Sequence, residues 1–292
     1  MADEWLIFVD TNIFLDFYRT SGESAARQMK ALERHKERLI LTDQVRMEFL
    51  KNRQKVIQAA FKEVKPPLKT NVSQIVADSE PARLLKKAEK EARKRYNQLE
   101  QRYENILSKP SNYDEVFKSL NRIFKSASEY NLRRPNPIRF SLRSKARKRF
   151  MLGYPPRKKD DTSYGDALNW EWIIHCAQSS QPNQHVLIVS RDGDFGSSFN
   201  GTDLLNDWLH REFKDRVTAL RKIELTTRLT TALKRLDEVV QEDDVEEEKQ
   251  VIASSSRTLS VEERSAQQKE VAELLNKFLV EKGRGGLPGL EN

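Results

Sequence analysis

Four acids stand beside apolar runs that read as buried strands. Asp10 ends "LIFVD", and Asp192 follows "LIVSR". Glu48 sits on the helix after "LILT", and Asp166 starts the helix before "HVLIVS". One aspartate at a strand end reads most simply as a helix N-cap, its carboxylate accepting from the first unpaired amides. Asp10, Asp43, Asp161 and Asp203 all admit that reading. Several acids in one pocket change it. Packed carboxylates repel and raise one another's pKa, so a cluster calls for a cation. Hard divalent ions such as Mg2+ and Mn2+ prefer carboxylate oxygens. A pair of such ions ~4 Å apart can activate a water and stabilise the leaving oxygen in phosphodiester cleavage.

The elements that must bring these acids together are legible as apolar runs and helical spacings. Residues 5–9 form a continuous apolar, fully buried strand pattern, and 39–42 and 185–190 repeat it. Residues 21–38 read as an exposed helix capped at Ser24, with Ala25, Met29 and Leu32 inward. Residues 43–64 read as a long helix with Asp43 as N-cap and Val45, Phe49, Val56 and Phe61 near helical spacing, ended by "KPP". Residues 68–130 are rich in Lys and Glu. There Tyr96, Leu99, Tyr103 and Ile106 mark one helix face, expected to pair with "YDEVFKSLNRIFKSA". Residues 131–159 break into loops at Pro135, Pro137, Gly153, Pro155 and Pro156. Further on, 161–178 predicts a strongly amphipathic helix, 203–213 a helix, and 224–240 a short strand followed by a helix. Strands alternating with helices predict an α/β fold, a three-layer α/β/α arrangement around a parallel sheet, with sites at the carboxyl ends of the strands.

Composition narrows the partners. The chain has 292 residues, 13 Phe, 4 Trp and 37% hydrophobic residues, enough for a sizeable core. Its formal net charge is +8 and its pI about 9.4, which favours a polyanionic partner. No apolar run reaches the ~18 residues of a membrane span. The start, "MADEWLIFVD", is too acidic for a signal peptide. A lone Cys176 in "WEWIIHCAQ" excludes an internal disulfide and reads as a packing thiol in a reducing, cytoplasmic compartment. The four histidines lack zinc-site spacing, Ser163 and Ser190 have no neighbouring His, and Trp170 and Trp172 read as core.

The chain resembles PIN-domain nucleases. "FVDTNIFLDFYR", "LTDQVRMEFLKNR", "DDTSYGDALNWEWII" and "VLIVSRDGDFG" are similar to the four motifs of that family, in its order. The long insert before "YGDALNWEWI" makes it most similar to the bacterial PIN-like group of large single-chain proteins. The resemblance covers about residues 5–65 and 150–235. It implies a nuclease domain over 1–240 with a helical basic insertion at 66–150. An acidic, Ser-rich linker at 241–260 and a C-terminal helix with a flexible tail at 261–292 complete the expected organisation. By the same resemblance, Asp10, Glu48, Asp166 and Asp192 are the catalytic acids and, with Asp194, the ligands of Mg2+ or Mn2+. Thr11, Asn12 and Ser190 support the site, and Asp160 and Asp161 belong to an outer shell. The implied activity is metal-dependent endoribonuclease hydrolysis of single-stranded or structured RNA, with RNA ahead of DNA. A homodimer and a toxin or defence role are settings the family allows. Two other readings compete. A haloacid-dehalogenase-type phosphatase also places an acid after its first strand but wants a second Asp where Asn12 stands. A non-catalytic nucleic-acid-binding protein would not need all four acids.

Residues 131–159 hold eleven Lys and Arg and no acid. The plain reading is a solvated loop. The functional reading is a phosphate-binding surface of Arg143, Lys145, Arg147, Lys148, Arg149, Arg157, Lys158 and Lys159, with Phe140, Phe150 or Tyr154 stacking on unpaired bases. The run ends directly before Asp160, where an acidic site would otherwise repel a polyanion. The acidic stretch "EDDVEEE" reads as a solvated linker that could alternatively lie across the basic segment.

Overall fold

The computed structural model describes residues 4–157 and 163–254. The first apolar run forms β1 (Glu4–Val9), buried at every position after Glu4. Asp10 turns the chain into the short α1 (Thr11–Asp16). α2 (Gly22–Arg34) follows, capped by Ser21 and not by Ser24. Ser24 is instead buried and donates to Asp244 at 2.6 Å. β2 (Leu39–Thr42) leads into α3 (Asp43–Lys62), whose N-cap is Thr42 and not Asp43. Asp43 sits in the first turn and pairs with Arg139 and Arg134.

The insert is helical, as its composition suggested: α4 (Glu80–Ser108), the short α5 (Pro110–Tyr113) and α6 (Glu115–Phe124). Its pairing differs from the expected one. α4 packs along α3, where Phe61 meets Tyr96 and Tyr103 with ring centroids 5.9 and 4.8 Å apart. Leu99 stays exposed. α6 packs on α2 instead. A buried ion pair fixes the insert to the domain: Arg53 on α3 donates to Asp114 at 2.7 Å and to the Ile106 carbonyl at 2.6 Å.

The basic segment is also more ordered than its prolines implied. It holds β3 (Asn131–Leu132) and α7 (Ile138–Met151). The prolines fall between or beyond these elements, where they leave the helical hydrogen bonds intact. α8 (Gly165–Ser179) was expected to be amphipathic but is buried on nearly every side. Such a helix lies between layers and has no solvent face. β4 (Gln184–Val189) follows it.

Residues 203–213 are not one helix. β5 (Gly196–Phe199) and β6 (Thr202–Leu205) form a hairpin, and α9 (Asp207–Arg216) begins only after Asn206, its N-cap. The two hairpin-tip residues, Asn200 and Gly201, have φ of 48° and 77°. Asn-Gly is the dipeptide that tolerates this conformation and matches the twist of paired strands. Asp203, a candidate cap, lies in β6 and accepts from the Thr227 amide at 2.7 Å. β7 (Ile223–Thr226) and α10 (Leu229–Arg235) appear as a strand and a helix.

β1 pairs in parallel with both β2 and β4, and the five-stranded sheet runs β3-β2-β1-β4-β7. α10 lies against β1, β4 and β7 with α2 beside it; α8 lies against β2 and β4, carrying α7 and α9. This is the three-layer α/β/α fold. The chain moves outward from β1 to β2 and β3, then returns to β4 on the other side. The reversal between β1 and β4 is the position where such sheets open a crevice for ligands.

The unit built on this sheet extends to Val245. Of the second unit, residues 246–254 are described and are helical, in the stretch expected as an acidic linker. The expected C-terminal helix and tail, Lys158, Lys159, Asp160 and Asp161 lie outside the described residues.

Candidate active site

Asp10 stands at the tip of β1, in the crevice. The β1–β4 register sets Val9 opposite Val189, so the next residues, Asp10 and Ser190, meet at the sheet edge. Ser190 Oγ donates to Asp10 Oδ2 at 2.6 Å, and Asn12 Nδ2 donates to the same oxygen at 3.1 Å. The Thr11 amide donates to Oδ1 at 2.6 Å, so Asp10 does cap α1, as the simplest reading held. It also does more. Burial pushes its carboxyl up to about 6, against the lowering effect of the Ser190 and Thr11 hydrogen bonds, and the charges of Asp192 and Glu48 push the same way. Asp10 is therefore a buried acid in electrostatic contact with two others.

Ser190 Oγ also accepts from the Asp192 amide at 3.0 Å, which fixes the loop after β4. That loop carries Asp192 and Asp194. With Asp166 they form a group in which one carboxylate oxygen from each lies within 4.8 Å of the others. Asp166 occupies the first turn of α8, where the helix N-terminus favours a negative charge.

Glu48 is held from two sides. Thr11 Oγ1 donates to its Oε2 at 3.0 Å, and Gln44 Nε2 donates to its Oε1 at 2.7 Å. α8 approaches this carboxylate closely at Gly165. A Cβ on Gly165 would lie 2.5 Å from Gln44 Nε2 and 2.8 Å from Glu48 Oε1. The two helices are locked by a buried contact: Thr42 Oγ1 accepts from the Val45 amide at 3.0 Å and donates to Asn169 Oδ1 at 2.7 Å. Thr42, Gln44, Gly165 and Asn169 were not singled out from sequence. Asn169 lies one helical turn after Asp166, and Gln44 one turn before Glu48, a spacing that could have drawn attention to both.

The structure thus gathers the predicted acids in two tiers. Asp166, Asp192 and Asp194 share one cluster. Asp194, expected as a ligand alongside Asp192, stands together with it. Asp10 adjoins the cluster through the charge of Asp192 and the Ser190 hydroxyl, and Glu48 adjoins Asp10 through its charge and through Thr11. Asn12 stands where a dehalogenase-type phosphatase wants a second carboxylate, and its amide is used to hold Asp10. The donor set is all oxygen, the preference of a hard divalent ion. The buried Oδ1 of Asn12 has no hydrogen-bond partner among the described residues, one more oxygen available beside Asp10.

A family model described as the PIN domain matches residues 7–195. The chain belongs to the PIN-domain family. No curated protein and no solved structure matches it. PIN domains are generally nucleases that act on nucleic acid with divalent ions. The matched range contains Asp10, Glu48, Asp166, Asp192 and Asp194 and runs through the helical insert. Among the described residues, no helix of this PIN domain is long and apolar enough to cross a membrane.

The basic surface of the PIN domain is smaller than its sequence suggested. Lys145, Arg147 and Lys148 are exposed on α7, and Arg143 is half-buried. Arg149 does not belong to the surface. It is buried and donates to Glu171 at 3.1 Å, to Glu212 and to the Pro155 carbonyl. The helical repeat explains the error: Leu142, Ala146 and Arg149 share the inward face of α7. Arg147 lies over the Tyr164 ring at 5.7 Å, next to Gly165 and Asp166. Arg157 covers Phe150 at 4.5 Å, and Tyr154 packs on Trp208 at 5.1 Å, which leaves Phe140 the most exposed of the three candidate stacking rings. Burial pushes the Cys176 thiol up, in keeping with a packing role.

Proposed function

We propose that this PIN domain is an Mg2+- or Mn2+-dependent endoribonuclease. The observation that carries the reading is the convergence of Asp166, Asp192 and Asp194 beside the buried Asp10. These three would hold the ion, with Asp10 and Glu48 at its border. Bound there, a divalent ion offsets phosphate charge and lowers the pKa of a coordinated water. The protein's own groups keep the acids in register. Ser190 ties the β1 and β4 tips together, and Thr11 and Gln44 aim Glu48. Lys145, Arg147 and Lys148 attract the phosphate backbone toward an otherwise repulsive site. No covalent intermediate is needed.

The test is a metal-titrated cleavage assay on single-stranded RNA, duplex RNA and DNA. Cleavage of RNA that needs added Mg2+ or Mn2+ is the expected result. Asp10→Asn should abolish it while circular dichroism and RNA binding stay close to wild type. An Asp10→Asn protein as active as wild type would show that the chemistry happens elsewhere.

A further inference from the structure

The same sheet edge holds a second concavity. A groove of about 480 Å3 opens over the ends of β2 and β3, lined by residues of α3 and of the segment after β3. Its volume falls within the ~300–1,000 Å3 usual for small-ligand sites. The strand order puts β2 next to β1 and β3 next to β2. At ~4.8 Å per strand, the groove starts one spacing from Asp10 and ends about two away. α3 connects the two places, since it carries Glu48 toward the acids while Met47 and Leu50 line the groove.

The lining combines two chemistries. Met47 and Leu50 are large apolar side chains left 40% and 45% exposed. Around them stand Arg46, Lys125, Arg133 and Arg134. Asp43, the one acid among the described residues that line the groove, is engaged by Arg139 and lies 3.8 Å from Arg134. Arg46 is steadied by Asn121 Oδ1 at 3.1 Å. One of the four cations is therefore held in place before any ligand arrives, which lowers the ordering cost of binding. An apolar floor with a cationic rim matches a base joined to its phosphate.

We propose that this groove is a substrate subsite for one unpaired nucleotide of the strand being cut. The base rests on Met47 and Leu50, and the phosphate meets Arg133, Arg134 and Lys125. A duplex base cannot reach the floor, because it is stacked between neighbours and paired. The assignment rests on the nuclease reading above and adds to it a preference for single strands.

Two measurements test it. The first is crosslinking of a 4-thiouridine-substituted ten-nucleotide RNA without metal, mapped by mass spectrometry. Crosslinks at residues 46–50 or 131–135 are expected from the single strand and not from the same sequence as a duplex. The second compares cleavage of the ten-mer and of a dinucleotide by the Leu50→Glu/Arg133→Glu protein. Its ten-mer to dinucleotide ratio of kcat/KM should fall about tenfold, as expected for lost phosphate and base contacts. Lys125→Glu replaces the double variant if circular dichroism shows that it does not fold. Crosslinks confined to other surfaces, equal labelling by duplex, or an unchanged ratio overturns the subsite while leaving the nuclease intact. A wild-type protein that cuts neither substrate overturns the nuclease reading, and the crosslink map then judges the groove by itself.

Discussion

Asp10 and Glu171 are both buried carboxylates, 4% and 3% exposed, yet their environments push them in opposite directions. Burial raises Glu171 too, but Arg216 donates to it at 3.0 and 2.7 Å and Arg149 at 3.1 Å, and together they hold it below the usual carboxylate range. Glu212 completes a ring of two acids and two arginines that joins α7, α8 and α9, and Trp170 donates to it at 3.0 Å. Among the described residues, Asp10 receives neutral donors, from Thr11, Asn12 and Ser190, and the charges that act on it are those of Asp192 and Glu48. One buried acid is neutralised from within and becomes structural. The other favours a proton or a cation from outside. The same helix serves both regions, with Asp166 in its first turn and Glu171 further along.

The sharpest way to break this contrast is to remove one charged side chain from each region. Asp192→Asn should reduce RNA cleavage by more than the ~10–100-fold that changes around a metal site cost, with the melting temperature little altered. Arg149→Ala should do the reverse. It leaves Glu171 with a weakened partner set and should cost about 3–5 kcal/mol in urea unfolding, while cleavage by the remaining folded protein persists. Stability loss in the first and none in the second would reverse the roles assigned here.

Ser190→Ala probes the link between the tiers. It removes a hydrogen bond that lowers the Asp10 pKa, and should cost roughly 10–100-fold in activity. Gly165→Ala introduces a Cβ against the far ends of Gln44 and Glu48. Those side chains can move, so the fold should hold while activity drops about tenfold through a displaced Glu48. A fully active Gly165→Ala protein would remove Glu48 from the mechanism.

The pH dependence follows from Asp10. Its carboxyl is raised from 3.8 to about 6 in the folded chain, so the folded state holds this proton more tightly than the unfolded one. From this group, stability is full below about pH 4 and is lost as pH rises through about 6. A divalent ion competes with that proton. Saturating Mn2+ should therefore raise Tm by about 5 °C or more at pH 7.5 and by much less at pH 5. A shift that does not change with pH would separate Asp10 from the ion. The smallest effect is expected at the surface. Replacing Lys145, Arg147 and Lys148 by Ala should weaken RNA binding several-fold and flatten its salt dependence. Arg149 is left out of that set because its loss acts through the fold.

Much of the candidate site was legible because Asp10 and Asp192 follow apolar strands of the parallel sheet. "LIFVD" and "LIVSRDGD" mark their strand ends by a switch from apolar to acidic residues, and "YGDAL" marks a helix start by an acid in its first turn. The order of secondary elements through 5–65 was legible for the same reason. Arg149 was misread because charge type does not report which side of a helix faces inward. The hairpin at 196–205 was missed although its Asn-Gly turn is a strong signal, because the apolar spacing after it looked helical.

By itself, the sequence determined the α/β class, the acids at the strand ends and the excess of positive charge. Periodicity and residue chemistry are local, and each of those features is local. Only the tertiary structure decided which acids meet, since Asp166 and Asp192 lie apart in the chain and come together through sheet order. It also decided that Gly165 stands where two helices close on Glu48, and that Arg149 pairs with the buried Glu171. Those outcomes depend on distances between residues remote in sequence, which packing alone sets.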